Sequence, residues 1–169
     1  MAIPPSPSNQ LNRCDGMHPS PAVSNILHHQ LIRQLVDFEL HMDHFVIFGS
    51  GPLLAHGLRT DIGDLDIVAR GPAWDRARWL GVPTKSPLHG TEMAYLCGGC
   101  IEVSTDWISS EWDTNQLIDD CDVFDGFRFA KIDYVLAYKR ALQRPKDAID
   151  ILLIENYLNE LASRYRSGS

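Results

Sequence analysis

The sequence predicts an α/β domain of the α+β kind, with a mixed β-sheet, helices packed on it and a helical C-terminal part. Short apolar runs bounded by turn residues indicate strands, and longer segments with apolar residues at helical spacing indicate helices. The two kinds alternate in the first half of the chain, and two helical segments close it. Such an order places helices against a sheet. Because 44% of the 169 residues are apolar, one hydrophobic core can form, and we expect a single domain over residues 21–165.

The first half of this domain is predicted to alternate between helices and strands. Residues 21–42 carry apolar side chains at helical spacing, and residues 45–49 form an apolar run that ends in glycine, as a buried strand does. Ser50 can cap the next helix, and Pro52 suits the first turn of that helix. Three further elements follow, a turn, a strand and a helix, over residues 59–64, 64–70 and 73–80.

The second half is predicted to contain two hairpins and the closing helices. The segments EMAYL and IEVSTDW have the composition of strands, and CGGC joins them. A zinc site would need a second cysteine pair and a thioredoxin-type motif would open a helix, so we interpret CGGC as a hairpin turn. The segment VFDGFRFA has Asp-Gly at its centre, which predicts the other hairpin. Helices are expected over residues 109–120, 131–142 and 145–164.

Outside the domain, residues 1–20 are rich in Pro and Ser and are predicted to form a mobile tail. This stretch has no apolar segment of the signal-peptide type, and no apolar run in the chain is long enough for a membrane helix. We therefore expect a cytoplasmic protein with no membrane partner. The net charge of −7 argues against a long nucleic-acid footprint, since phosphate contacts require a surplus of Lys and Arg.

Two carboxylates, Asp64 and Asp66, interrupt an otherwise apolar strand segment. Side chains two positions apart on a strand point to the same face, whereas Leu65 and Ile67 point to the other. Neighbouring carboxylates repel each other unless a cation lies between them, and Mg²⁺ prefers one or two carboxylates together with substrate phosphates. Taken alone, the pair fits the solvent-facing side of an edge strand at least as well.

The Gly49-Ser50 pair precedes these carboxylates and starts a helix. A helix N-terminus presents free N–H groups and the positive end of a dipole, and phosphate binds readily there. An apolar strand, Gly-Ser, a short helix and then Asp-x-Asp together resemble the signature of the DNA polymerase beta-type nucleotidyltransferase superfamily. The resemblance implies that Gly49 and Ser50 grip a triphosphate and that Asp64 and Asp66 bind a divalent metal, Mg²⁺ or Mn²⁺.

That superfamily often adds a third carboxylate on a later strand, which binds metal or activates the attacking hydroxyl. Glu102 fits this role by position, because its neighbours Ile101 and Val103 point to the opposite face. Asp106 is the rival candidate. The alternative for Glu102 is a solvated strand glutamate.

The C-terminal segment resembles the last motifs of minimal nucleotidyltransferases of the AbiE-toxin type, in which a helix with Lys precedes a helix that begins near Arg-x-Lys-Asp. The matching residues are Lys139, Arg144, Lys146, Asp147 and Asp150. Independently, Lys139 lies on the apolar stripe of its helix, where a lysine must either extend to solvent or meet an anion. Asp147 heads the apolar stripe of the last helix; its alternative role is a favourable charge at a helix N-terminus. Arg144 and Lys146 also fit a solvated turn.

The resemblance implies a Mg²⁺-dependent nucleotidyltransferase that moves NMP from an NTP to a hydroxyl acceptor and releases pyrophosphate. Lys139 would neutralise triphosphate charge, and Asp147 would orient Lys139 or contact the acceptor. The acceptor is a tRNA, a partner protein or a small molecule, and toxin, antitoxin and resistance-type roles all stay open. Two alternatives remain: an inactive nucleotide-binding or protein-interaction module, and an α+β binding domain whose Asp pair is incidental.

Overall fold

A computed structural model of the chain describes residues 26–86, 90–107 and 112–168. The predicted tail over residues 1–20 therefore lies outside the described residues. Within these residues seven strands form one mixed sheet, and their bounds are β1 Phe45–Ile47, β2 Leu65–Ala69, β3 Val82–Lys85, β4 Glu92–Leu96, β5 Ile101–Ser104, β6 Cys121–Phe124 and β7 Phe127–Ala130. The predicted fold class, a mixed sheet with helices packed on it and a helical C-terminal part, is confirmed.

The strands lie in the order β3-β4-β5-β2-β1-β7-β6. Two pairs are parallel, β1 with β7 and β2 with β5, and the others are antiparallel. The predicted hairpins are present, since β4 pairs with β5 across CGGC and β6 pairs with β7 across Asp125-Gly126. Asp125 and Gly126 have φ values of 48° and 85°, the left-handed backbone that a two-residue turn of type I′ requires.

Six α-helices belong to the described residues: α1 Gln30–Asp37, α2 Gly51–Ala55, α3 Gly71–Leu80, α4 Thr114–Asp119, α5 Ile132–Leu142 and α6 Ala148–Ser167. Residues 21–25 of the helix predicted over 21–42 lie outside the described residues. Within the rest of that range α1 is shorter than predicted, because the His29 ring accepts a hydrogen bond from the N–H of Leu31 and caps α1, while Glu39 has a φ of 52° just after it. A 3-10 turn over Pro145–Asp147 precedes α6, so α6 begins three residues later than predicted.

Each face of the sheet carries its own hydrophobic core. On one face, Ile47, Leu65 and Ile67 pack against α1 and α3. On the other, Val46 and Val68 pack against α4, α5 and α6. The alternation within β2 therefore places Asp66 on the same face as Val68, beneath α5 and α6. Within the residues that the structure covers, no helix is both long and apolar enough to cross a bilayer.

Candidate functional site

One cleft, on the α5–α6 face of the sheet, brings together every residue that the sequence analysis selected for chemistry. Its volume is about 460 Å³. It is lined by Gly49, Ser50, Asp64, Asp66, Glu102, Lys139 and Asp147, and also by Asp106, Arg144, Lys146 and Asp150. The roles of these side chains stay predictions, and the structure adds that they share a single cleft.

The carboxylates meet because two strands distant in sequence run parallel. Asp66 on β2 is the direct register partner of Glu102 on β5, and the two therefore project from the same face. Leu65 and Ile101 are fully buried on the opposite face, as predicted. Asp64 departs from the prediction in one respect, since it precedes β2 by one residue and is exposed. It lies at the mouth of the cleft rather than within the strand.

Burial and mutual repulsion perturb the two strand carboxylates. Burial, and then the charges of Asp64 and Glu102, raise the pKa of Asp66 to about 7. Burial and the charge of Asp64 also raise the pKa of Glu102, although a hydrogen bond with Tyr95 opposes this rise. Opposite charge close to these groups would favour their ionised form. The cluster is therefore electrostatically prepared for a cation.

The oxygen donors of this cluster suit Mg²⁺ or Mn²⁺. Asp64, Asp66 and Glu102 offer carboxylate oxygens, the ligands that hard divalent cations prefer. Among the described residues, however, no three His, Cys, Asp or Glu side chains form a ready-made metal cluster. Mg²⁺ usually retains several waters and takes one or two carboxylates together with substrate phosphates. The donor set therefore fits a cation that enters with a polyphosphate better than one bound alone.

Gly49 is required where the chain turns from β1 towards α2. Its φ is 60°, a conformation that other residues adopt with strain, and a Cβ atom at this position would overlap the carboxylate of Asp66. Ser50 is the N-cap residue of α2, but its side chain makes no capping hydrogen bond with that helix. The turn thus seats the backbone directly against Asp66 and leaves the Ser50 hydroxyl available to a ligand in the cleft.

Gly49→Ala is expected to destabilise the protein by about 1–3 kcal/mol, because it combines left-handed strain with displacement of the Asp66 side chain. It should also weaken binding of Mg²⁺–ATP. Gly63→Ala is the matched control, since Gly63 lines the same cleft and a Cβ there meets nothing within 4 Å. Urea unfolding and isothermal titration of both variants check the prediction, which fails if the two behave alike.

Lys139 meets anions, as its place on an apolar stripe required. Its side chain is 3% exposed, and its Nζ lies 3.0 Å from the Asp147 carboxylate and 2.9 Å from that of Asp150. The Arg144 Nε donates to Asp147 at 2.6 Å, and the Arg59 Nε donates to Asp150 at 2.6 Å. A continuous ion network therefore joins the segment before β2 to α5 and α6.

Sequence reasoning missed Arg59 and underestimated Arg144. Arg59 lies in a polar turn with the composition of a solvent-exposed loop, and only its pairing with the buried Asp150 reveals its role. Arg144 is not a solvated turn residue, because it binds Asp147 and its guanidinium lies 5.5 Å from the ring centroid of Tyr138. Asp147 does not serve as a helix cap by its side chain, and instead lies buried between two cations.

The arrangement combines a carboxylate cluster, a glycine-serine turn and a partly buried ion network within one cleft. A carboxylate cluster beside cationic groups can hold a divalent cation together with a polyanion such as a polyphosphate. Comparison of the chain with protein-family models, with curated proteins and with solved structures found no match. What can be inferred of its function therefore comes from its own residues and their geometry.

Proposed function

We propose that this protein is a nucleotidyltransferase, which transfers NMP from an NTP to a hydroxyl acceptor and releases pyrophosphate. The observation that carries the proposal is the register pairing of Asp66 with Glu102 in a cleft that also contains Gly49-Ser50. Two half-buried carboxylates side by side are costly for a fold, and such sites cluster where charge is used in chemistry.

In this proposal Gly49 and Ser50 hold the triphosphate, and Asp64 and Asp66 hold Mg²⁺. When bound, the cation would neutralise the negative charge that develops on the phosphates during transfer. Glu102 accepts the proton of the acceptor hydroxyl, and its raised pKa suits a general base better than that of a solvated glutamate. The remaining work of the protein is to position the reacting groups, because transfer of this kind depends mainly on geometry and electrostatics.

The ion network around Lys139 also supports binding of the triphosphate. Three cationic side chains, Arg59, Lys139 and Arg144, surround two carboxylates, so the network carries a net positive charge. This charge favours a polyphosphate beside it. In this proposal Asp147 and Asp150, whose carboxylates lie 3.0 and 2.9 Å from the Lys139 Nζ, orient that lysine.

The acceptor is not specified by these residues, and tRNA, a partner protein and a small hydroxylated molecule remain candidates. The net charge of −7 argues against tRNA, since a polyanion requires compensating Lys and Arg. The three acceptors correspond to toxin, antitoxin and resistance-type roles, which share the same proposed transfer reaction.

The proposal predicts label transfer from one of the four α-³²P-labelled NTPs onto a component of a cell extract. Transfer should require Mg²⁺ or Mn²⁺ and should fall at least 1,000-fold, about 4 kcal/mol of barrier, in Asp66→Asn. Glu102→Gln should lose transfer but keep Mg²⁺-dependent NTP binding. Asp75→Asn, which changes an exposed aspartate of α3 outside the cleft, is the matched control and should retain full transfer.

The fraction that carries the label identifies the acceptor class as RNA, protein or small molecule. NTP binding without transfer to any fraction would favour the alternative function, an inactive nucleotide-binding or protein-interaction module. Absence of NTP binding would mean that Asp64 and Asp66 are an incidental pair of surface carboxylates, and it would overturn the proposal.

A further inference from the structure

Two neighbouring residues that line the cleft each have a buried polar atom without a hydrogen-bond partner in the described part of the chain. The Oδ1 atom of Asp106 and the Nε1 atom of Trp107 are both shielded from solvent, and neither has a hydrogen-bond partner among the described residues. Both residues line the cleft. Trp107 itself is only 6% exposed. One atom is an acceptor and the other a donor.

Such atoms are unusual because a buried polar group without a partner costs about 1–3 kcal/mol. Most buried polar atoms in folded proteins have a partner, and an exception calls for a specific cause. One further unpartnered atom, His56 Nε2, lies 3.4 Å from the Asp122 carboxylate, whose charge partly compensates it. Asp106 and Trp107 have no comparable counter-group among the described ion pairs. A ligand in the cleft would supply a hydrogen-bond donor to Asp106 and an acceptor to Trp107.

The position of Trp107 indicates which part of a ligand would reach it. Its ring packs on Phe48, with centroids 4.5 Å apart, and on Tyr138, with centroids 5.1 Å apart. Phe48 directly precedes Gly49, and Tyr138 directly precedes Lys139. Trp107 is therefore built against the two segments that hold the triphosphate in the proposed function.

The charge of Asp106 excludes phosphate as the group that binds there. A carboxylate repels phosphate oxygens, whereas it accepts hydrogen bonds from N–H or O–H groups. The indole N–H of Trp107 needs an acceptor nitrogen or oxygen. A nucleobase and a ribose both carry donors and acceptors. In an NTP the ribose is joined to the α-phosphate and the base to the ribose, so both accompany a triphosphate into the cleft.

We propose that Asp106 and Trp107 form the nucleoside subsite: Asp106 accepts a hydrogen bond from the base or ribose, and Trp107 donates one to it. This inference rests on the proposed nucleotidyltransferase function, since it assigns the nucleoside of the same NTP. It gives Asp106 a role distinct from Glu102, so the two rival carboxylates serve the nucleoside and the acceptor hydroxyl respectively.

Equilibrium binding of ATP, GTP, CTP, UTP and inorganic tripolyphosphate, each with Mg²⁺, tests the subsite. Loss of one hydrogen bond should weaken the preferred NTP roughly 3- to 10-fold in Trp107→Phe and roughly 10-fold or more in Asp106→Asn. Tripolyphosphate, which lacks a nucleoside, should bind both variants within about 2-fold of the wild-type protein. Trp112→Phe, on a tryptophan that also contacts Phe48 but does not line the cleft, and Asp75→Asn are the matched controls.

Each outcome decides between the two proposals. Selective loss of NTP affinity, with tripolyphosphate unchanged, supports the nucleoside subsite. Unchanged NTP affinity in both variants overturns the subsite and leaves the nucleotidyltransferase proposal intact; equal loss for NTP and tripolyphosphate overturns it in favour of a structural role. A wild-type protein that binds neither ligand overturns the proposed function itself. Thermal unfolding of each variant separates these results from loss of the fold, and Asp106→Asn keeps the test valid if Trp107→Phe does not fold.

Discussion

Asp66→Asn is expected to stabilise the ligand-free protein at pH 8 by about 2–4 kcal/mol, while it abolishes nucleotidyl transfer. In the wild-type protein, burial of the Asp66 carboxylate and repulsion by Asp64 and Glu102 raise its pKa to about 7. An amide of the same shape removes this repulsion and carries no charge to desolvate. The substitution therefore separates the effect of the Asp66 charge on folding stability from its effect on nucleotidyl transfer.

The sign of the pH dependence follows from the direction of this pKa shift. An unfolded aspartate has a pKa near 3.8, so between about pH 4 and pH 7 the folded state holds a proton that the unfolded state has lost. The contribution of Asp66 to the free energy of unfolding is therefore most favourable below about pH 4. It falls as the pH rises and levels off above about pH 7. The stability advantage of Asp66→Asn should grow across the same window.

Urea unfolding of both proteins at intervals from pH 4 to pH 8 measures this difference directly. Asp75→Asn, an exposed aspartate of α3, controls for the loss of one negative charge and should change the unfolding free energy by less than about 0.5 kcal/mol. Mg²⁺–ATP should stabilise the wild-type protein and leave Asp66→Asn unaffected. A variant that is less stable than the wild-type protein at pH 8 would falsify the assignment of Asp66 as a repelled carboxylate.

The second large effect is expected from Lys139→Met, which should destabilise the protein by about 3–5 kcal/mol. Lys139 is buried between Asp147 and Asp150. Removal of its charge leaves two buried carboxylates whose remaining counter-ions among the described residues are Arg144 and Arg59. Methionine keeps the length and apolar character of the stem, so the loss reports the charge rather than a cavity. Binding of inorganic tripolyphosphate with Mg²⁺ should weaken in parallel, because the network loses its net positive charge.

Arg140→Met provides the control on the same helix. Arg140 also forms an ion pair, with Glu155 at 2.7 Å, but its side chain is 56% exposed and solvent screens the pair. Its loss should cost less than about 1 kcal/mol. Guanidinium chloride unfolding at pH 7 compares the two, and similar losses in both variants would contradict the idea that Lys139 is held by an essential buried network.

Much of the fold follows from local rules that the sequence displays. Alternation within LDIVA predicts that Leu65 and Ile67 are buried and that Asp66 faces the other way, and all three placements are observed. The Asp-Gly pair at positions 125 and 126 predicts a tight hairpin, because only some residues accept its left-handed backbone. The helical spacing in α5 predicts that Lys139 lies on a buried face. These features depend on neighbours a few positions apart.

The rest depends on pairings between distant segments, and no local pattern encodes them. No local pattern around Asp66 predicts that β2 lies parallel to β5 with Glu102 directly opposite Asp66. Arg59 has the surroundings of a loop residue until Asp150, on α6, is placed beside it. His29 caps α1 although histidine is not among the favoured capping residues, so no local signal in the sequence predicts that α1 begins at Gln30.

The distance along the chain between Arg59 and Asp150 also bears on how the protein acquires its structure. These residues are 91 positions apart, and β1 likewise pairs with β7 across most of the domain. Closing loops of this length costs entropy before any contact compensates for it, and non-local topology slows folding. The hairpins and helices can form early from nearby residues. The cleft is expected to be completed only when α6 docks, so maturation of the binding site belongs to the slow, final phase of folding.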